Sequence, residues 1–82
     1  MRLAVVTSQH RSLRQAAEAL NIRQSTLSRR LHEIERQLGV VLFERTNGGT
    51  RLTTVGLEFV ASAKRILDDV DTEVQRLRSR SR

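Results

Sequence analysis

The chain of 82 residues contains no cysteine, proline, tryptophan or tyrosine. Without cysteine, disulfide frameworks, thiolate zinc sites and thiol chemistry are excluded. Phe43 and Phe59 are its two aromatic residues, which leaves little for bases to stack on and counts against single-stranded RNA as a partner. No apolar run approaches the roughly 18–20 residues that span a bilayer, and no signal-peptide pattern is present. We therefore expect one mostly helical, cytoplasmic domain with no membrane partner.

Residues that would carry enzyme chemistry are also scarce. His10 and His32 are the two histidines, and neither has Cys, Asp or Glu partners at the spacing of metal ligands. A glycine-rich phosphate loop and a nucleophile motif are both missing. We therefore expect no enzyme, no catalytic residue, no metal site and no cofactor, and we interpret His32 as a polar residue of a binding face.

Arginine is what the chain has in excess. Arginine outnumbers lysine fourteen to one, and 15 basic against 9 acidic side chains give a net charge of +6. Residues 1–53 hold nine basic and four acidic side chains, whereas residues 54–82 hold six and five. The guanidinium group is a planar fork that fits phosphates and guanine edges. A basic excess concentrated in one part of a small domain favours nucleic acid as the partner.

Two short helices joined by a tight turn are predicted in the first half of the chain. A capping box at Ser12 and Gln15 starts the first helix, and Asn21, which tolerates left-handed backbone, ends it. The second helix stops at Gly39. Apolar residues recur at helical spacing in both, at Leu13, Ala16, Ala17, Leu20, Leu27, Leu31, Ile34 and Leu38. This pattern predicts a helix-turn-helix over Ser12 to Leu31, preceded by a further short helix within residues 1–9.

A small two-stranded wing is predicted to follow. Residues 40–43 favour a strand, and residues 50–53 form a second extended segment. Between them lies Asn47-Gly48, the strongest short hairpin signal because both residues accept a positive φ. A winged helix-turn-helix is therefore the expected fold.

A long helix is predicted over residues 54–78, with Thr53 or Thr54 as its N-cap. Apolar residues follow a strict heptad seam, at Val60, Ala63, Leu67, Val70, Val74 and Leu77. Phe59 and Ile66 lie beside the seam and are expected to face the domain's own core. A helix of about 37 Å is longer than so small a domain needs, so we expect it to form a homodimer through the seam. Residues 79–82 are predicted to fray.

The second helix of the predicted helix-turn-helix has a polar outer face. On a helical wheel, the side opposite the apolar residues and its flanks carry Gln24, Ser25, Thr26, Ser28, Arg29, Arg30 and His32. Glutamine can bridge two adenine atoms, and arginine can form a fork onto guanine. The pattern therefore indicates a helix that reads bases in the major groove of double-stranded DNA.

Several segments together resemble the DNA-binding domain of LysR-type transcriptional regulators. They are Ala16-Ala17-Glu18-Ala19-Leu20, Gln24-Ser25-Thr26-Leu27-Ser28-Arg29, Leu38-Gly39-Val40, Leu42-Phe43-Glu44-Arg45 and Leu52-Thr53, with Gly56 at the family's glycine position. By similarity, base and phosphate contacts fall on Gln24, Ser25, Thr26, Ser28 and Arg29. Minor-groove and backbone contacts fall on Arg45, Asn47 and neighbouring wing residues, among which we include Arg51.

The resemblance also implies how the chain would work. It implies a DNA-binding domain over residues 1–53 and an antiparallel dimerisation helix over residues 54–82, in a nucleoid-associated transcription regulator, with RNA polymerase as a candidate partner. Arg23 replaces the usual Ser or Thr cap, Arg11 replaces a frequent glycine, and the family's effector domain is absent from this sequence. Two alternatives stay open from the sequence, namely an antagonist that pairs with a full-length regulator and a winged-helix regulator of the molybdate-responsive ModE type.

Overall fold

The computed structural model describes residues 1–80 and is mostly helical, as predicted. Its elements are α1 (Arg2–Ser8), α2 (Leu13–Leu20), α3 (Gln24–Leu38), β1 (Phe43–Thr46), β2 (Gly49–Leu52) and α4 (Thr54–Arg80). The predicted fraying at residues 79 and 80 is wrong, because α4 continues through them with Arg78 and Arg80 in its last turn, where cations are favourable. Residues 81 and 82 lie outside the described part of the chain. No helix within residues 1–80 is both long and apolar enough to cross a membrane.

The helix ends follow the local chemistry of the sequence. The Ser12 hydroxyl accepts a hydrogen bond from the backbone N–H of Gln15 at 3.2 Å, which caps α2. Asn21 closes α2 in the left-handed region with φ of 57°, and Gly39 closes α3 with φ of 74°. Arg23 stands at the N-cap of α3 and makes no side-chain cap there. The helix-turn-helix is therefore bounded as its sequence predicts.

The core forms where the first three helices meet. Its buried members come from α1, α2 and α3 and are Ala4, Leu13, Ala16, Ala17, Leu27 and Leu31. Ile22, in the turn between α2 and α3, and Phe43, at the start of the wing, pack against this cluster. Leu27 is fully buried, so the inner face of α3 is fixed and its outer face is left to solvent.

The first part of α4 packs against α1 of the same chain. Val60 and Ala63, expected on the dimer seam, are 7% and 1% exposed and form a second cluster with Val5. The expectation for these two residues is therefore wrong, since α1 already covers them. Ile66 was expected to face the core, but it is 49% exposed. Ile66 therefore belongs to an exposed apolar face of α4 that also includes Val70, Val74 and Leu77.

The wing is an antiparallel hairpin whose register pairs Thr46 with Gly49 across a two-residue loop. Neither Asn47 nor Gly48 has a positive φ, contrary to the basis of the hairpin prediction, whereas Gly49 has a φ of 134°. A Cβ atom at Gly49 would lie 2.0 Å from the carbonyl oxygen of Arg11. The same carbonyl accepts a hydrogen bond from the N–H of Thr50 at 2.8 Å. Glycine is needed at this position because the wing lies against the α1–α2 loop.

Candidate nucleic-acid interface

The outer face of α3 presents the side chains that the sequence assigned to base contact. Five of them are exposed and two, Thr26 and Ser28, are half-buried; the exposed ones are Gln24, Ser25, Arg29, Arg30 and His32. A shallow groove of about 480 Å³ runs along this face and is lined by Ser25, Ser28, Arg29, His32, Glu33 and Arg36. The first two turns of α3 thus form a polar ridge of a kind that fits a major groove.

A cleft between the start of α3 and the wing brings further predicted residues together. Its volume is about 410 Å³, and Gln24, Arg45 and Asn47 all line it. The N-terminal end of α2 closes the opposite side of the cleft with Ser12, Leu13 and Arg14. Gln24, which the sequence predicts to contact bases, and the wing residues therefore share one concave surface, although they lie about twenty positions apart in the sequence.

Glu35 connects the far end of α3 to the wing. One oxygen of its carboxylate, Oε2, accepts hydrogen bonds from the backbone N–H groups of Leu42 at 2.7 Å and Phe43 at 3.1 Å. These bonds explain why β1 begins at Phe43 and not at Val40, since the two N–H groups turn towards α3. This role of Glu35 was not predicted from the sequence; the available signal was a glutamate at the core boundary of a helix, just before a loop.

Thr53 and Gly56 hold the other end of the wing. The Thr53 hydroxyl accepts from the N–H of Gly56 at 2.9 Å and donates to the carbonyl oxygen of Val41 at 2.6 Å. A Cβ atom at Gly56 would lie 2.1 Å from the carbonyl oxygen of Leu42. The N-cap of α4 is therefore Thr53, and the wing is fixed at both strand ends to the helices that flank it.

The arginines of the site differ in whether a carboxylate already holds them. Arg36 pairs with Glu33, Arg14 lies 3.9 Å from Glu18, and Arg51 lies 2.7 Å from Glu44. By contrast, within residues 1–80 no ion pair involves the three remaining arginines of the predicted site, Arg29, Arg30 and Arg45. These three positive charges are therefore available to an anionic partner.

The wing separates the two arginines that were expected to act together. Cross-strand pairs place Glu44 opposite Arg51 and Arg45 opposite Thr50. Successive strand residues face opposite sides, so Arg45 and Thr50 share the side towards α3, and Arg51 lies on the other side. Arg45 and Thr50 both line the cleft, whereas Arg51 does not.

Within residues 1–80 no three His, Asp or Glu side chains form a cluster that could hold a metal ion.

The profile of the bacterial regulatory helix-turn-helix proteins of the lysR family matches residues 1–57. The chain belongs to the LysR family. This family consists of regulatory proteins, in agreement with the expectation that the chain is not an enzyme.

Members of the LysR family resemble the chain along nearly its whole length. The transcriptional regulator ClcR of Pseudomonas putida is 38% identical over 81 residues, which are 99% of this chain and 27% of that regulator. The DNA-binding domain of CbnR, solved as a DNA complex, has a TM-score of 0.89 at 31% identity and covers 98% of this chain and 92% of that one. The BenM DNA-binding domain in complex with benA site 1 DNA has a TM-score of 0.88 at 32% identity, covering 94% and 90%. The chain thus spans little more than a quarter of ClcR and corresponds to the DNA-binding domain of its solved relatives.

Proposed function

We propose that the chain is a sequence-specific binder of double-stranded DNA that inserts α3 into the major groove. The observation that carries this proposal is the exposed ridge of Gln24, Ser25 and Arg29 on a helix whose opposite face is anchored by Leu27, which is fully buried. Gln24 and Arg29 are the side chains suited to two-pronged contacts with adenine and guanine. The CbnR and BenM domains that the chain resembles are solved as DNA complexes, which supports the same partner for this chain.

The wing and the free arginines supply affinity in this proposal. Arg45 lines the cleft beside Gln24 and Asn47 and meets the minor groove or the phosphate backbone next to the bases that α3 reads. Arg30 flanks the ridge on α3 and meets phosphates. Each arginine that neutralises a phosphate adds about 0.9 to the slope of log K against log salt. Binding should therefore weaken steeply as salt rises.

We further propose that two copies pair through the second half of α4. On a side that α1 leaves open, α4 has apolar residues that are 38–55% exposed, namely Ile66, Val70, Val74 and Leu77. An uninterrupted apolar stripe of this kind marks an interaction surface. In this assignment residues 1–53 contact DNA, and the dimer contacts lie between residues 66 and 77 of α4.

In this proposal the two copies of α4 run antiparallel, and the stripe of one copy packs along the stripe of the other. The pair carries a net charge of 2 × 6 = +12 and presents two α3 helices to a two-fold site.

Selection from a random duplex library, followed by gel shift with the selected sequence, tests this function. We expect an interrupted dyad whose half-sites lie about one helical turn, or a multiple of it, apart. Deleting one half-site should weaken binding strongly, and a duplex of scrambled sequence should bind much more weakly than the selected one. If no sequence is enriched, the proposal for base reading is contradicted. If a single half-site is enriched without a dyad, the proposal for the dimer is contradicted.

A further inference from the structure

The outer side of the wing carries an ion pair that the proposed function does not use. Glu44 and Arg51 are directly opposite each other on β1 and β2, and the Nε–H of Arg51 donates to Oε1 of Glu44 at 2.7 Å. Both side chains are open to solvent, with exposed fractions of 70% for Arg51 and 45% for Glu44. The pair lies one residue away from Arg45 and Thr50, which line the cleft on the other side of the wing.

This position sets a phosphate and a carboxylate in competition for one guanidinium group. When the wing meets DNA, a phosphate near the hairpin would compete with Glu44, which already accepts a hydrogen bond from the Nε–H of Arg51. Glu44 also adds a negative charge to a surface that otherwise meets an anionic backbone. Other arginines of the wing and of the ridge, Arg45 and Arg29, have no such competitor within residues 1–80.

We propose that Glu44 limits DNA affinity by holding Arg51 off the phosphate backbone. This inference rests on the proposed function and refines it, since it removes Arg51 from the DNA contacts expected from the sequence and makes Glu44 the residue that positions it. Glu44 acts on affinity for any duplex and leaves base selectivity to Gln24 and Arg29. In the wild type, Arg51 therefore does not contribute to phosphate binding.

The size of the effect follows from the exposure of the pair. An exposed ion pair competes weakly, so its release should tighten DNA binding about two- to fivefold at low salt. A gained phosphate contact steepens the slope of log K against log salt by about 0.9. Between 50 and 200 mM salt, the advantage of the variant should therefore shrink about 3.5-fold.

The test measures binding of a fluorescent random-sequence duplex by anisotropy across that salt range. Four proteins form a cycle, namely the wild type, Glu44→Gln, Arg51→Ala and the double variant. We expect Glu44→Gln to bind more tightly at 50 mM salt and with a steeper salt slope, so that little of its advantage is left at 200 mM, and we expect Arg51→Ala alone to change little. Adding Arg51→Ala to Glu44→Gln should remove the gain. Glu73→Gln is the matched control, because it frees Arg76 from an ion pair of 2.8 Å on α4, away from the wing.

Two results would overturn the inference. If the gain of Glu44→Gln persists without Arg51, Glu44 acts by plain repulsion and does not position Arg51. If Arg51→Ala alone flattens the salt slope by about 0.9, Arg51 already contacts a phosphate. Either result leaves the proposed function intact as long as the wild type binds the duplex. Failure of the wild type to bind any duplex would instead refute the proposed function itself.

Discussion

Replacing Val70 and Val74 with glutamate should turn the proposed dimer into a monomer. Complete burial of a large aliphatic side chain contributes about 1.5–3 kcal/mol. Val70 and Val74 are still 48% and 38% exposed, and Ile66 and Leu77 are 49% and 55% exposed, so pairing adds about half of that value for each. The four residues then contribute about 3–6 kcal/mol per copy and about 6–12 kcal/mol for two copies.

That gain is of the same size as the cost of association, which is about 4–15 kcal/mol. The proposed dimer therefore depends on the whole stripe. Losing the two valines removes about 3–6 kcal/mol per dimer, which is at least about 100-fold in Kd, and the four introduced carboxylates oppose pairing further. Val70 and Val74 are chosen over Leu67, because Leu67 packs against the cluster of Val5, Val60 and Ala63 and a glutamate there would destabilise the fold.

Sedimentation velocity over a range of protein concentrations measures the effect. The wild type should sediment as a dimer at high concentration, and Val70→Glu with Val74→Glu as a monomer with an unchanged circular dichroism spectrum. Thr72→Glu with Gln75→Glu adds the same charge on the opposite, exposed side of α4 and should remain a dimer. A Val70 and Val74 double variant that still sediments as a dimer would refute the assignment of the stripe.

Two further variants test how the wing is held. Glu35→Gln should lower the free energy of unfolding by about 1–3 kcal/mol in urea titration, because a neutral amide replaces the carboxylate that accepts two backbone N–H groups. Its control, Glu33→Gln, breaks an exposed ion pair and should lower the free energy of unfolding by less than about 1 kcal/mol. Equal losses in the two variants would contradict the role of Glu35. Gly49→Ala should destabilise by more than about 1 kcal/mol in thermal melting, because its Cβ would lie 2.0 Å from the carbonyl oxygen of Arg11. Gly48→Ala meets no atom within 4 Å and should be tolerated; equal loss in both would contradict the contact with Arg11.

The features that the sequence predicted depend on neighbouring residues. Helix caps at Ser12, Asn21 and Gly39 act within three or four positions, and the hairpin follows from one short turn. The outward face of α3 follows from helical periodicity alone. For this reason the helix-turn-helix and its exposed polar residues were predictable without coordinates.

The features that the sequence did not predict depend on distant parts of the chain. Gly49 meets Arg11 across 38 positions, and no local pattern reveals that approach. The heptad seam of α4 showed which residues are apolar but not which chain covers them, so Val60 was assigned to a second copy although α1 of the same chain buries it. The pairing of Arg51 with Glu44 needed the register of the hairpin. Each of these three features is a contact between residues distant in the sequence, which local secondary-structure propensity does not reveal.

The central claim, base reading by α3, is tested most directly by comparing two duplexes. Binding of wild type, Gln24→Ala and Arg29→Ala to the selected dyad and to a scrambled duplex should be measured by anisotropy at one fixed salt concentration. We expect each substitution to cost about 1–3 kcal/mol on the dyad and much less on the scrambled duplex. Equal losses on both duplexes would show that these side chains contact only the phosphate backbone, and would contradict the account.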